Sequence, residues 1–139
     1  MIHEMDFRVS YADTDRMGVV YYANYLVLFE RGRTELMRAL GVRYRALEEK
    51  NIFLPVMDVQ VKYLAPAQYD DVINIRTWVG ELGRASVTFQ YELINADTGK
   101  KMAQGFTKHP FVNKSRKPMP VPPEVKTILL PVVHSDGPK

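Results

Sequence analysis

The stretch Tyr11-Ala12-Asp13-Thr14-Asp15-Arg16-Met17-Gly18-Val19-Val20-Tyr21-Tyr22-Ala23-Asn24-Tyr25 puts two carboxylates and a glycine just ahead of an apolar run. If that run is a helix, its first turn offers backbone N–H groups with no intrahelical partner and a partial positive charge. Such an end holds an oxyanion as readily as a phosphate. A carboxylate a few residues upstream can then serve as base or nucleophile towards the same group. The chemistry that suits this spacing is attack on a carbonyl. The same residues also suit a plain loop, because aspartate caps turns. At this level both readings of Asp13 and Asp15 stand.

These residues need a helix behind them and a scaffold to hold it. From Tyr25 the apolar positions Leu28, Phe29, Leu36, Met37 and Leu40, with Gly32 on the same face, have helical spacing over four turns. Gly41 is the expected stop. Gly32 inside the helix costs up to about 1 kcal/mol against alanine, so a closely packed neighbour is expected there. Leu26 and Val27 widen the apolar surface beyond one stripe, which predicts a helix buried more deeply than a surface helix.

A shorter helix is expected over Tyr44–Lys50, and a short strand over Asp6–Tyr11. Four strand-like segments follow: Pro55–Leu64, Asp71–Val79, Ala85–Ile94 and Lys101–Val112. In the first of these, Val59, Val61 and Tyr63 share one face against Asp58, Gln60 and Lys62. Gly80–Gly83 and Asn95–Gly99 read as hairpin connections. The tail from Lys114 is rich in proline, with a short helix expected near Pro123–Thr127. Strand, long helix, then four strands predicts an α+β fold, a curled antiparallel sheet of about five strands wrapped around one long central helix. Such a sheet leaves edges, and edges invite pairing with another copy.

Composition narrows the function classes. The 139 residues, 46% of them hydrophobic, suit one domain over 1–139. There is no cysteine, which excludes a disulfide framework, a thiolate metal site and a cysteine nucleophile. The net charge of +3 is small and evenly spread, and argues against a nucleic-acid partner. Met1–Asp6 has no signal-peptide pattern, and no apolar stretch is long enough to span a bilayer, so a cytoplasmic protein is expected. His3, His109 and His134 lack metal-ligand spacing, and His109 is expected to be a packed or hydrogen-bonded strand residue. No phosphate loop or serine elbow is present.

Tyr11–Tyr25 resembles the signature of hotdog-fold thioesterases of the 4-hydroxybenzoyl-CoA thioesterase type, and most closely the branch of Tol–Pal-associated acyl-CoA thioesterases. Phe29-Glu30-Arg31-Gly32-Arg33-Thr34-Glu35 is similar to that branch's helix. Tyr63-Leu64-Ala65-Pro66-Ala67, with Asp70-Asp71 after it, resembles its second strand and turn, and Gly105-Phe106-Thr107-Lys108-His109 its last strand. The similarity runs from about Phe7 to Pro120.

The resemblance implies an acyl-CoA thioesterase with Asp15 as catalytic carboxylate, Asp13 as a structural residue, and the Tyr22 backbone N–H as oxyanion donor. The branch often has histidine at that place, and a backbone donor survives the change to tyrosine. Gly18 and Val19 are the expected substrate-binding residues beside them. Arg84 and Ser86 match positions near the pantetheine and phosphate of CoA, and a solvated strand start is the competing reading. Lys114, Arg116 and Lys117 form a small basic cluster that suits either a nucleotide phosphate or solvent. Glu30 is expected near the loop end of the helix.

The resemblance also implies that no metal or cofactor is needed, and that the site forms between subunits of a homo-oligomer. That oligomer would be a dimer or a homotetramer built from such dimers. The competing functions are a non-catalytic hotdog protein that binds acyl-CoA or acyl-carrier protein, and a hotdog dehydratase. The dehydratase needs a histidine near the helix, and none lies between His3 and His109.

Overall fold

The computed structural model describes residues 1–134, and the last five residues of the expected 1–139 domain lie outside the described residues. The elements are β1 (His3–Arg8), α1 (Asn24–Ala39), α2 (Tyr44–Glu49), β2 (Asp58–Tyr63), β3 (Val72–Leu82), β4 (Ser86–Asn95), β5 (Lys101–Pro110) and α3 (Pro123–Leu129). All five strands form one sheet in the order β1-β3-β4-β5-β2, and every pairing is antiparallel. The fold is α+β, as expected.

The strand before the long helix and the strand after it therefore occupy opposite edges. β2 does not form a hairpin with β3; it crosses over to pair with β5. Helix α1 packs on the inner face between these edges. Its buried residues are Tyr25, Leu28, Phe29, Gly32, Leu36 and Met37, the helical stripe expected. Phe29 stacks on Tyr91 of β4 with ring centroids 4.1 Å apart. Gly32 is explained by contact: a methyl group there would collide with the Thr77 hydroxyl and come within 3.0 Å of Ile75 Cγ2. Gly41, at φ +87°, ends the helix, with its N–H bonded to Arg38 O and the Val42 N–H to Met37 O. This is the two-bond stop that a left-handed glycine permits.

Four expectations need correction. The first strand is His3–Arg8 rather than Asp6–Tyr11, because His3, Met5 and Phe7 already supply the inward alternation. Tyr11–Asp13 instead makes a 3₁₀ turn. β3 runs through Gly80 to Leu82, so Gly80 is a bulge in the strand and not part of a turn. A Cβ on Gly80 would lie 2.6 Å from Gln90 Cγ. The last strand closes at Pro110, and the chain beyond it turns to new partners, with the Val112 N–H bonding Phe53 O at 3.0 Å. Finally, Leu26 and Val27 are not buried within one chain; they remain 40% and 46% exposed.

Candidate active site

Residues 14–20 form a small hairpin. Thr14 bridges Val20, and the Asp15 N–H bonds Val19 O at 2.9 Å. The Gly18 N–H closes a turn onto Asp15 O at 3.0 Å, with Gly18 at φ +78°, a conformation glycine adopts without cost. Val20 N–H to Ala67 O, at 2.7 Å, and the Val19–Gln68 bridge stitch this hairpin to the segment after β2.

The two aspartates do different things. The Asp13 carboxylate accepts both the Ser10 N–H and hydroxyl at 2.9 Å. Its carbonyl accepts the Tyr21 N–H at 2.9 Å and the Asn24 side-chain amide at 3.1 Å. Asp13 thus ties the loop to the start of α1. The Asp15 carboxylate is exposed and accepts one bond, from the Met17 N–H to Oδ1 at 2.8 Å. Among the described residues its other oxygen has no partner.

The chain enters α1 through a turn over Tyr21–Ala23. The N–H groups of Asn24, Tyr25 and Leu26 are taken by the carbonyls of Tyr21, Tyr22 and Ala23. Those of Tyr22 and Ala23 donate to no acceptor among the described residues. No acidic side chain occupies the first turn and no side chain caps it, so the positive end of the helix is unopposed. Asp15, Val19, Tyr22, Tyr25, Tyr63 and Leu64 share the walls of one cleft of about 340 Å³. Burial raises the pKa of Tyr25, and also that of Tyr63 at the cleft's edge. The arrangement sets a free carboxylate oxygen of Asp15 and the residue carrying the unpaired Tyr22 N–H on one small, mostly apolar space.

The family described as the thioesterase-like superfamily matches residues 9–129. The chain belongs to that superfamily. It is 34% identical over 119 residues to the putative acyl-CoA thioesterase YneP of Bacillus subtilis, covering 85% of this chain and 86% of that one. It is 36% identical over 121 residues to the acyl-CoA thioesterase YbgC of Haemophilus influenzae, with 86% and 88% covered. The DHNA-CoA thioesterase structure from Staphylococcus aureus superposes with a TM-score of 0.82 at 30% identity, over 86% of this chain and 80% of that one. The sheet around α1 is the hotdog fold of this superfamily.

Within this thioesterase chain, Arg84 and Ser86 lie far from Asp15. Ser86 pairs with Pro110 while Tyr63, at the cleft, pairs with Ala103. The separation is about seven residues of β5, roughly 23 Å at strand rise. Lys114, Arg116 and Lys117 sit at the Arg84 end, where the Val121 N–H bonds Arg84 O at 2.9 Å. Glu30 lines a second cleft with Leu26, Val27, Arg33, Val56 and Val59, and does not reach Asp15. His109 is fully buried, with Nε2 2.8 Å from Thr107 Oγ1 and Nδ1 3.1 Å from Leu54 O. Burial, aided by the nearby Arg33 charge, lowers its pKa to about 4, so it is neutral at physiological pH. Asn24, Tyr25 and Tyr63 belong to the site and were not singled out from sequence. The signal for Tyr63 was its place on the same face of β2 as Val59 and Val61.

Proposed function

We propose that this chain hydrolyses an acyl-CoA thioester to the free acid and CoA. The observation that carries the reading is the convergence, on one cleft, of the Asp15 carboxylate and the unbonded Tyr22 N–H at the start of α1. The thioester oxygen sits against that N–H, where the helix end stabilises the charge that develops on it. Asp15 either takes a proton from an attacking water or attacks the carbonyl carbon itself. In the first route the tetrahedral intermediate collapses, the C–S bond breaks and CoA leaves as its thiolate. In the second, the same bond breaks to give an acyl-aspartyl anhydride, which water then hydrolyses. Asp13 holds the loop; Gly18 and Val19 shape it beside the substrate.

The unit that acts is a homo-oligomer, a dimer or a tetramer of such dimers, each chain a single hotdog domain. β2 is an open sheet edge, and Val56, Met57, Val59, Leu26 and Val27 beside it are exposed. Antiparallel pairing of β2 with its twofold copy sets the Tyr63 end of one strand against the Asp58 end of the other. Asp58 pairs with Lys108 and Ser86 with Pro110, so Arg84 and Ser86 lie at the Asp58 end. The partner subunit's Arg84 and the partner subunit's Ser86 would then approach the Asp15 cleft and meet the phosphate and pantetheine of CoA. A sedimentation mass that is a multiple of 16.0 kDa is expected. Acyl-CoA is an intracellular ester, which points to the cytoplasm. The test is a panel of aromatic, short-chain and long-chain acyl-CoAs with free-thiol detection. Release from none of them would sink the reading and leave a non-catalytic binding protein.

A further inference from the structure

We infer that Tyr63 is a positioning residue for the oxyanion site: its hydroxyl fixes the peptide joining Tyr22 to Ala23, so that the two free N–H groups work as a pair. This rests on the functional reading above and adds to it a residue and a second donor, the Ala23 N–H.

The Tyr63 hydroxyl donates to Tyr22 O at 2.9 Å, across the cleft from the end of β2 to the start of α1. The other bond to that carbonyl, from the Tyr25 N–H, is long at 3.3 Å. The Tyr22 carbonyl and the Ala23 N–H belong to one planar peptide unit. Holding the oxygen therefore holds the N–H on its other side. A hydrogen bond accepted at the oxygen also polarises that N–H and strengthens it as a donor. The peptide two units upstream, joining Val20 to Tyr21, is held by the Tyr21 N–H on Asp13 O at 2.9 Å, and the Tyr21 carbonyl of the unit between accepts the Asn24 N–H at 2.8 Å. The Tyr22 N–H thus lies between two anchored peptide units, one tied by Asp13 and the other by Tyr63.

The phenol cannot swing freely. Its ring meets Tyr25 edge-on at 5.1 Å and Tyr22 at 6.3 Å. Burial raises its pKa above the ordinary tyrosine value, so it stays protonated and donating well past neutral pH. No other hydroxyl reaches this carbonyl among the described residues.

The test compares wild type with Tyr63→Phe, which keeps the ring and any contact it makes with an acyl group. With the best acyl-CoA of the panel, kcat should fall about tenfold while KM stays within about twofold, as expected for a positioning group. Thermal unfolding should be unchanged within a few degrees. A second readout needs no turnover: the Ala23 amide resonance should move in Tyr63→Phe. Unchanged kcat, or a loss confined to KM, would overturn the inference while leaving the thioesterase reading intact. If no acyl-CoA is cleaved by wild type, the functional reading falls, and an unmoved Ala23 resonance separately removes the clamp.

Discussion

The centre of the sheet and the seam between β2 and the start of α1 draw on the same residue types and end in opposite states. At the centre, Phe29 lies flat on Tyr91, Gly32 fits against Thr77, and the imidazole of buried His109 has partners at both nitrogens. At the seam, among the described residues, Val27 and Val59 stay exposed, the N–H groups of Tyr22 and Ala23 are unbonded, and Asp15 keeps one oxygen free. One region is finished within the chain. The other keeps apolar side chains exposed and polar groups unbonded among the described residues, and the proposed site lies there. Substitutions at the centre should cost stability, and substitutions at the seam should cost turnover.

The largest effect is expected at Asp15. Asp15→Asn keeps the size of the side chain and its capacity to accept the Met17 N–H, so the fold should persist. Turnover should drop by about 10²–10⁴-fold, the worth of a positioned base, and the loss should lie in kcat. Asp13→Asn is the counterpart, since its bonds all serve the loop; it should lower the melting temperature more than it touches kcat. Should Asp15→Asn stay within about threefold of wild type, far short of a base's worth, while folded Asp13→Asn is dead, the two aspartates have been assigned the wrong way round.

Next comes Tyr22. Tyr22→Pro removes the backbone donor and should cost roughly 10²–10³-fold in kcat. Tyr22→Phe and Tyr22→His keep it and should retain substantial activity. If Tyr22→Phe is as inactive as Tyr22→Pro and both fold, the phenol and not the N–H is the working group.

At the centre the expected effect is on stability, and it depends on pH. The folded protein holds the His109 pKa near 4, against an ordinary value of 6.5. As pH falls through 6.5 the unfolded chain takes up a proton that the folded chain refuses until about pH 4. The unfolded state binds more protons in that window, so stability falls with falling pH, by on the order of 3 kcal/mol across it. Urea unfolding at pH 7 and pH 4.5 should show this slope in wild type and a smaller one in His109→Gln. Equal slopes in the two would assign the acid sensitivity elsewhere.

Much of this division was legible in the sequence. Periodicity gave the buried stripe of α1, and the alternation of β2 placed Val59, Val61 and Tyr63 on one face, because both patterns report which side of an element meets the core. Pairing partners were not legible. Nothing local tells β2 to cross to β5, since that choice is made by the long-range packing of α1 between the edges. Gly80 looked like a turn because glycine serves bulges and turns alike. The loop of Asp13 and Asp15 was found by residue type, and only the family resemblance told the two apart; the physical reason for Asp13 to hold the loop, its bonds from Ser10, was not legible. Tyr63 was missed as a site residue because its partner is a backbone carbonyl, which carries no sequence signature. Leu26 and Val27 read correctly as apolar and wrongly as covered, because apolar residue type alone does not say which side of a helix meets the core.

The smallest expected effect tests the centre at its tightest point. Gly32→Ala gains up to about 1 kcal/mol in helix propensity. Against that stands a methyl group driven into the Thr77 hydroxyl and to within 3.0 Å of Ile75 Cγ2. Thr77 sits in the middle of β3 between β1 and β4, so its backbone is held on both sides. Overpacking of this kind typically costs about 1–3 kcal/mol, so the net change should be a destabilisation of up to about 2 kcal/mol and a melting temperature lower by several degrees. Thr77→Ala opens the space and removes a buried hydroxyl that has no partner among the described residues. In that background Gly32→Ala should cost less, or stabilise, because the two changes share one contact and such pairs are non-additive. A double-mutant cycle by calorimetry reads the coupling directly. If the two substitutions simply add, the close approach of α1 to β3 is not what keeps glycine at this position.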